Sequence, residues 1–312
     1  MKNNVLIIGN GFDLDLGLNT RYSDFANSDF WPKAAPIQIA PTFPNTGVHR
    51  IGRRPHPTLL EHVLAWKKIT TWFDLENELL QYASVENRSN GKEEGYFIDK
   101  NIQYYQKLQE GLCNFISDAQ NNEIQKDRIA GKVLKAILDN GSFSQIYSFN
   151  YTDLHKIAKS LDLRNDFEYK HIHGNVSDKT IILGVDESDL RTGYKEFRKT
   201  SSPYYEYFDI YNALKSAHEI VFFGLSFGKI DYSYFRDFFN GLLEDAPKPD
   251  EEKQNITIFT KDNNTQSEIK ERLREQAINV QNIFGRSHLC FIGTSEQNNE
   301  KKLNEFYDRL KR

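Results

Sequence analysis

The sequence predicts an α/β fold in which a mostly parallel sheet carries helices on both faces. Short apolar runs rich in β-branched and aromatic residues alternate with amphipathic helical patterns along the 312-residue chain, as in proteins with parallel sheets. The first run, residues 5–8, is apolar throughout, which is typical of a strand covered on both faces. We therefore predict a Rossmann-like sheet with residues 5–8 near its centre.

The remaining elements are predicted from hydrophobic spacing and from turn residues. A short helix is expected after the first strand, at 12–18. The proline-rich stretch 26–58 predicts a lid or insertion beside the first turn, with an irregular surface loop as the alternative. Residues 59–140 follow helical spacing and predict a helical insertion after the first βα unit, within a single domain that spans 1–312. Further strands are predicted at 145–149, 167–172, 180–183, 219–223, 255–259 and 288–292, and further helices at 204–214, 232–239, 266–276 and 295–310.

Composition excludes several classes of protein. A net charge of −4 provides no general surface for nucleic acid or for an anionic membrane. The two cysteines, Cys113 and Cys290, are too few for a four-thiolate zinc site and do not suggest a disulfide framework, so a cytoplasmic location is expected. No apolar run approaches the roughly 18 residues of a membrane span.

The turn after the first strand is a candidate ligand site. It reads Gly9-Asn10-Gly11-Phe12-Asp13, and a strand, a glycine-rich turn and a helix in this order are typical of a nucleotide-binding half-fold. Glycines allow a ligand to approach the backbone, and the helix N-terminus would present N–H groups to a phosphate. The spacing differs from G-x-G-x-x-G, so an ordinary tight βα turn fits the pattern equally well.

Three later clusters also follow predicted strands: Asn150, the pair His173-Gly174, and residues 224–231. Ligands bind beyond the carboxyl ends of parallel strands, so we predict that Gly11, Asn150 and His173 line one cavity. Asn150, His173 and Asp231 could each have a purely structural role instead. Asn150 could cap the next helix, His173 could be a hydrogen-bonded histidine at a strand end with His171 on the same strand face, and Asp231 could be a helix N-cap.

Glu76 is predicted to lie on an apolar helix face, which is formed by Trp72, Leu75, Leu79 and Tyr82. Its neighbours Asp74 and Glu78 are expected to point away. A carboxylate in this position needs a basic partner or a functional role.

Four stretches resemble the bacteriophage abortive infection AbiH family, in the same order: IIGNGFDLDLGLNTRYSDF, SFNYTDL, HIHGN and FFGLSFGKID. Together they extend over residues 5–231. The order of glycine-rich turn, strand-end Asn, His-Gly and Gly-x-Ser is also similar to the broader sirtuin-like superfamily.

That resemblance implies an antiphage protein with an NAD-binding fold, and it implies roles for particular residues. Asn150 and His173 match catalytic residues of NAD-hydrolysing members. The residues implied in NAD binding are Gly9, Asn10, Gly11, Phe12, Asp13, Gly174, Gly224, Ser226 and Asp231. Sirtuin deacylases carry a four-cysteine zinc module that this chain lacks, so the resemblance implies cleavage of the nicotinamide–ribose bond of NAD without a metal.

One position departs from the sirtuin-like pattern. An acidic residue usually stands two positions after the Asn, where this chain has Thr152, with Asp153 one later. Glu76 and Asp13 are the candidates to replace it. The competing hypotheses are a sensor that binds NAD or an ADP-ribose-like nucleotide without cleaving it, and an RNA nuclease. A phage-derived trigger and a homo-oligomer are further possible partners.

Overall fold

A computed structural model of the chain describes residues 3–33, 57–67, 74–84, 95–186, 190–244, 246 and 249–311. Within these ranges six strands form one sheet, and every pair of neighbours is parallel. The strands are β1 (Asn4–Ile8), β2 (Phe143–Ser148), β3 (Lys170–His171), β4 (Glu219–Phe223), β5 (Asn255–Thr260) and β6 (His288–Gly293).

The strand order is β3-β2-β1-β4-β5-β6, which is the order of a Rossmann sheet. β1 pairs with β2 on one side and with β4 on the other, and all five of its residues are buried. The predicted α/β fold with a central first strand is therefore confirmed.

Helices cover both faces because successive strand residues point to opposite sides. Val5 and Ile7 pack on the face that carries α8 (Ile210–Ser216), α9 (Arg236–Glu244), α10 (Asn263–Glu275) and α11 (Val280–Arg286). Leu6 and Ile8 pack on the other face, against α1 (Gly11–Asp15), α6 (Ile129–Asn140), α7 (Leu154–Ser160) and α12 (Glu300–Leu310). The apolar character of β1 follows from this double coverage.

A third apolar cluster lies among α2 (Tyr22–Ala26), α3 (Leu59–Lys67), α4 (Leu75–Ala83) and α5 (Gly95–Ala119), with side chains such as Leu79 and Leu112 at its centre. α6 packs in the sheet's own core instead of joining this helical cluster. How the chain divides into domains stays a prediction. The predicted lid over 26–58 lies mostly outside the described residues, since residues 34–56 are not described, and Trp72 also lies outside them.

Several predicted element boundaries were wrong. Residues 180–183 form no strand, because Gly174 with φ +67° begins a tight turn that returns the chain over His173, where Ile182 N donates to His173 O at 2.8 Å. The helix expected at 204–214 begins only at Ile210, with Asp209 as its N-cap. α1 ends early because Gly17 follows with φ +89°, and α11 was missed because it is only seven residues long.

No helix in the described ranges combines the length and the apolar character needed to cross a bilayer.

Candidate functional site

The turns after β1 and β4 are locked against each other at the carboxyl edge of the sheet. Gly9 N donates to Phe223 O and Gly11 N donates to Gly224 O, both at 2.9 Å. A Cβ on Gly11 would lie 2.6 Å from the Cα of Gly224, and Gly224 itself has φ +67°. Glycine is therefore required at both positions by the contact between the two turns.

This contact commits most of the backbone donors of the first turn. Besides Gly9 N and Gly11 N, Phe12 N donates to Gly9 O at 2.9 Å. The side chain of Asn10 accepts a hydrogen bond from the Thr20 hydroxyl at 2.6 Å, and the ring of Phe12 packs edge-on against Phe223 in the core. The predicted role of this turn in binding a nucleotide stays a prediction.

Asp13 and Asn150 form the centre of a buried polar network. Asn150 Nδ2 donates to Asp13 Oδ1 at 2.9 Å and to Gly9 O at 3.1 Å. The Thr152 hydroxyl donates to Asp13 Oδ2 at 3.0 Å. Among the described residues Asn150 Oδ1 is buried and has no hydrogen-bond partner. The network fixes the side chain of Asn150 and leaves this oxygen as a free acceptor.

Burial raises the pKa of Asp13 to about 7, because hydrogen bonds from Thr152 and Asn150 offset only part of the cost of removing its charge from water. Asn150 does not cap the next helix. Asp153 does so, by accepting hydrogen bonds from His155 N at 2.9 Å and Lys156 N at 3.3 Å. The capping alternative for Asn150 was therefore wrong.

His173 lies just beyond β3, among the rings of Phe149, Tyr151 and Tyr234 at centroid distances of 5.3, 6.3 and 6.1 Å. Its Nε2 lies 3.3 Å from Asp231 Oδ1, and its Nδ1 is buried without a partner among the described residues. Burial lowers the pKa of His173, and the positive charge of Lys199 lowers it further, so the ring is neutral near pH 7.

His171 belongs to a different set of contacts. Its Nε2 lies 2.7 Å from the Tyr169 hydroxyl, and burial lowers its pKa to about 4. β3 ends at His171, so the two histidines do not continue along one strand face as predicted.

Asp231 does not cap a helix, so the N-cap alternative for this residue was wrong. It begins a 3-10 turn, Asp231–Tyr234, in which Ile230 holds the N-cap position without a side-chain hydrogen bond. Its carboxylate instead contacts His173 and lies 4.0 Å from Lys199 Nζ. Burial alone would raise the pKa of Asp231, but the hydrogen bond from His173 and the charge of Lys199 outweigh burial and leave it below the ordinary value.

Glu76 is buried and pairs with a basic residue, as its place on an apolar helix face predicts. Its Oε2 lies 3.3 Å from Lys199 Nζ, and its Oε1 accepts a hydrogen bond from Gly184 N at 3.3 Å. Burial raises the pKa of Glu76 to about 8, although Lys199 opposes the shift. No sequence pattern distinguishes Lys199, which sits in a short polar segment and becomes buried only through the fold.

The prediction that Glu78 points away from the core was wrong. α3 packs against that side of α4, and Glu78 Oε2 lies 3.4 Å from His62 Nε2, with both side chains largely buried. Asp74 is half-buried and serves as the N-cap of α4, accepting from Asn77 N at 3.1 Å.

Comparison with known families assigns the chain to one of them. Residues 5–246 match the family profile described as bacteriophage abortive infection AbiH. The chain belongs to the AbiH family. The match covers every candidate site residue from Gly9 to Asp231, and it confirms the family resemblance noted in the sequence motifs. A search of curated proteins finds no significant match. Membership supports a role in abortive infection of phage-infected cells.

Gly174 and Ser226, two further candidate site residues of this AbiH protein, contact other parts of the protein. A Cβ on Gly174 would lie 2.0 Å from Thr180 O, so the turn after His173 requires glycine. Ser226 O accepts from Arg272 Nη1 at 3.0 Å, and Ser226 Oγ accepts from Gly228 N at 3.3 Å. Their predicted contacts with a nucleotide stay predictions. In the described part of the chain no group of three His, Cys, Asp or Glu residues is arranged to hold a metal ion.

Proposed function

We propose that this AbiH protein binds NAD at the carboxyl edge of its sheet and hydrolyses the nicotinamide–ribose bond, with Asn150 and His173 as the catalytic residues. The observation that carries the proposal is their register. Ser148 and His171 are paired residues of β2 and β3, and Asn150 and His173 each follow their strand by two residues. The two residues therefore each lie two positions beyond a pair of adjacent strand ends.

The free atoms of these side chains suit the reaction. Asn150 Oδ1 and His173 Nδ1 are buried acceptors without partners among the described residues. Both residues are held by carboxylates, Asn150 by Asp13 and His173 by Asp231. Pre-positioned acceptors can orient a water molecule and take its proton, which is the assistance a hydrolysis needs.

The chemistry requires little else from the protein. The C–N bond between ribose and nicotinamide breaks with its electron pair leaving on nicotinamide, which departs as a neutral molecule and needs no acid. Water forms the new C–O bond at the ribose carbon and loses a proton. We assign the orientation of that water to Asn150 Oδ1 and the removal of its proton to neutral His173. We place the pyrophosphate near the Gly9–Asp13 turn on the sirtuin-like resemblance alone, since most backbone donors of that turn are already engaged.

The network around Asp13 also bears on Thr152, which stands where the sirtuin-like pattern has an acidic residue. The hydroxyl of Thr152, the residue at that position, donates to Asp13 Oδ2 at 3.0 Å, so a carboxylate from α1 lies beside it. We infer that Asp13 takes over that supporting role.

The direct test is incubation of the purified full-length protein with NAD, with nicotinamide and ADP-ribose measured as products. Release of both in equal amounts by the wild type, and its loss in His173→Ala, are expected. Wild-type protein that binds NAD but releases no nicotinamide, alone or in the presence of phage lysate, would replace hydrolysis with the sensor hypothesis.

A further inference from the structure

We infer that Asp231 is a positioning residue that holds His173 in the tautomer with the proton on Nε2, and that the buried Lys199, paired with Glu76, keeps Asp231 ionised for this task. The inference rests on the proposed function, in which His173 Nδ1 receives a proton from water. It assigns to Asp231 a role at the histidine instead of the direct contact with NAD that the resemblance implies.

The tautomer follows from hydrogen-bonding capacity. An ionised carboxylate can only accept, so the 3.3 Å contact between Asp231 Oδ1 and His173 Nε2 requires the ring nitrogen to donate. A neutral imidazole carries a single N–H. With that proton on Nε2, Nδ1 must hold a lone pair, and Nδ1 is the ring nitrogen left without a partner among the described residues.

Lys199 supplies the charge that keeps Asp231 ionised. Its side chain is 1 % exposed, and its ammonium lies 3.3 Å from Glu76 Oε2 and 4.0 Å from Asp231 Oδ1. Burial would lower the pKa of Lys199, but the two carboxylates outweigh burial and raise it, so the charge persists. A cation between two carboxylates stabilises the charged form of both.

The four residues come from separate parts of the chain. Glu76 lies on α4, Lys199 on a 3-10 turn at Lys199–Ser201, His173 after β3 and Asp231 after β4. The chain of contacts therefore connects the helical cluster that contains α4 to the carboxyl edge of the sheet.

Charges around His173 act on it in opposite directions. Lys199 lowers the pKa of His173, whereas Asp231, and Asp186 at longer range, raise it. The other groups against the ring are the neutral phenols of Tyr151 and Tyr234 and the ring of Phe149. Removing Lys199 should therefore raise the pKa of His173, and removing the charge of Asp231 should lower it.

The first test is an NMR titration of the full-length protein labelled with a nitrogen isotope at histidine, which reports the tautomer and the pKa of each ring directly. His173→Gln identifies the signal. We expect the Nε2–H tautomer in the wild type, a mixture of tautomers with a lower pKa in Asp231→Asn, and a higher pKa in Lys199→Met. Lys199→Arg keeps the charge and should leave the pKa unchanged.

A matched surface pair provides the control. Lys126 and Asp162 form an ion pair with 58 % and 79 % exposed side chains, and the φ of +59° at Asp162 suits asparagine. Lys126→Met and Asp162→Asn should not move the His173 signal. If Lys199→Met fails to fold, Glu76→Gln/Lys199→Met removes the ammonium together with the buried carboxyl that it would leave unpaired, and should raise the pKa of His173 in the same way.

The second test is the pH profile of nicotinamide release. The acid limb should move to higher pH in Lys199→Met and to lower pH in Asp231→Asn. Asp231→Asn should also lose on the order of 10–100-fold in kcat with KM little changed, by analogy with the outer partners of metal-bound histidines, and Asp231→Glu should recover part of the loss.

The outcomes separate the two proposals. The Nδ1–H tautomer in the wild type, or shifts of the same sign in Lys199→Met and Asp231→Asn, would overturn the positioning role. The Nε2–H tautomer with opposite shifts, in a protein that releases no nicotinamide, would confirm the arrangement around His173 and overturn NAD hydrolysis.

Discussion

Asn150 donates its side-chain amide to the buried carboxylate of Asp13 across 2.9 Å, and so joins the end of β2 to the first helix although 137 positions separate the two residues. The same amide also donates to Gly9 O, so both of its protons are committed. The orientation of the side chain is thereby set, because exchanging oxygen and nitrogen would place a carbonyl against two acceptors. Asn150 Oδ1 is left as the acceptor available for chemistry.

The carboxyl group of Asp13 should make stability depend on pH. Its pKa is about 7 in the folded protein and near 3.8 when unfolded, so between these values the folded state binds more protons. Stability from this group is fully present below the unfolded pKa and is lost as pH rises through about 7. Asp13→Asn removes this dependence. The difference in unfolding free energy between Asp13→Asn and wild type should therefore shift by roughly 2–3 kcal/mol in favour of the variant when the pH rises from about 5 to about 8.

Urea unfolding of both proteins at the two pH values measures that gain. Asp162→Asn, an exposed carboxylate, serves as the control and should show no such change. An equal difference between Asp13→Asn and wild type at both pH values would show that Asp13 is already ionised in the folded protein.

Asn150→Ala and His173→Ala should each reduce nicotinamide release by about 10²-fold or more, since the loss of a general base alone typically costs 10²–10⁴-fold. Asn150→Ala should also lower the unfolding free energy by about 1–3 kcal/mol, because it leaves the buried Asp13 with fewer donors. Melting temperature alone therefore cannot separate a site variant from an unstable one.

Leu134→Ala provides the calibration. Leu134 is fully buried on α6 in the core, and its truncation should cost roughly 2–5 kcal/mol. At a temperature where all variants are folded by circular dichroism, Leu134→Ala should keep its activity per folded molecule while Asn150→Ala does not. Parallel losses of activity and stability in both variants would reduce Asn150 to a structural role.

The sheet could be predicted because its signal is local. The apolar runs of β1, β4 and β5 bury nearly every residue, so their sequences alone indicate central strands. β3 could not be delimited in the same way. It has two residues, and its pairing depends on β2 more than on its own pattern.

The candidate site was predictable only in part. Asn150 and His173 stand at strand ends, a position that topology makes informative. The partners of His173 could not be predicted, because the contacts of Asp231 with Lys199 and of Lys199 with Glu76 arise from packing between distant segments. Asp231 illustrates the consequence: its sequence position favours a helix cap, whereas the fold directs its carboxylate to a histidine and an ammonium.

Gly224 should be far less tolerant of alanine than Gly141, although the two share a left-handed backbone with φ of +67° and +68°. At Gly141 a Cβ meets nothing within 4 Å, so Gly141→Ala costs only the conformational strain of about 1–2 kcal/mol. At Gly224 a Cβ would lie 2.4 Å from the backbone of Gly11. Gly224→Ala should cost roughly 1–3 kcal/mol more by overpacking and should weaken NAD binding as the two turns separate.

Urea unfolding and NAD titration by calorimetry test the pair of glycine variants. Similar stabilities for Gly224→Ala and Gly141→Ala would show that the two turns can move apart without cost, and would contradict the close approach described for Gly11 and Gly224.

The buried pair of Glu76 and Lys199 should show an interaction energy that grows with pH. Lys199 opposes the effect of burial on Glu76, so in Lys199→Met the pKa of Glu76 rises further above 8, and the carboxyl stays protonated over a wider range. Near pH 6 Glu76 is protonated with or without Lys199, so the loss of Lys199 should cost little at Glu76. Near pH 9 Glu76 is ionised beside Lys199 in the wild type, and Lys199→Met loses that attraction. A double-mutant cycle with Glu76→Gln and Lys199→Met, measured by urea unfolding near pH 6 and near pH 9, separates the interaction energy between Glu76 and Lys199 from the effect of Lys199 on Asp231. We expect a coupling energy of about 0.5–3 kcal/mol that is larger at the higher pH.

The exposed pair of Lys126 and Asp162 should give no more than about 1 kcal/mol at either pH. A coupling energy for Glu76 and Lys199 that matches this surface pair, or that does not change with pH, would show that water reaches the pair and that Lys199 does not depend on Glu76 for its buried position.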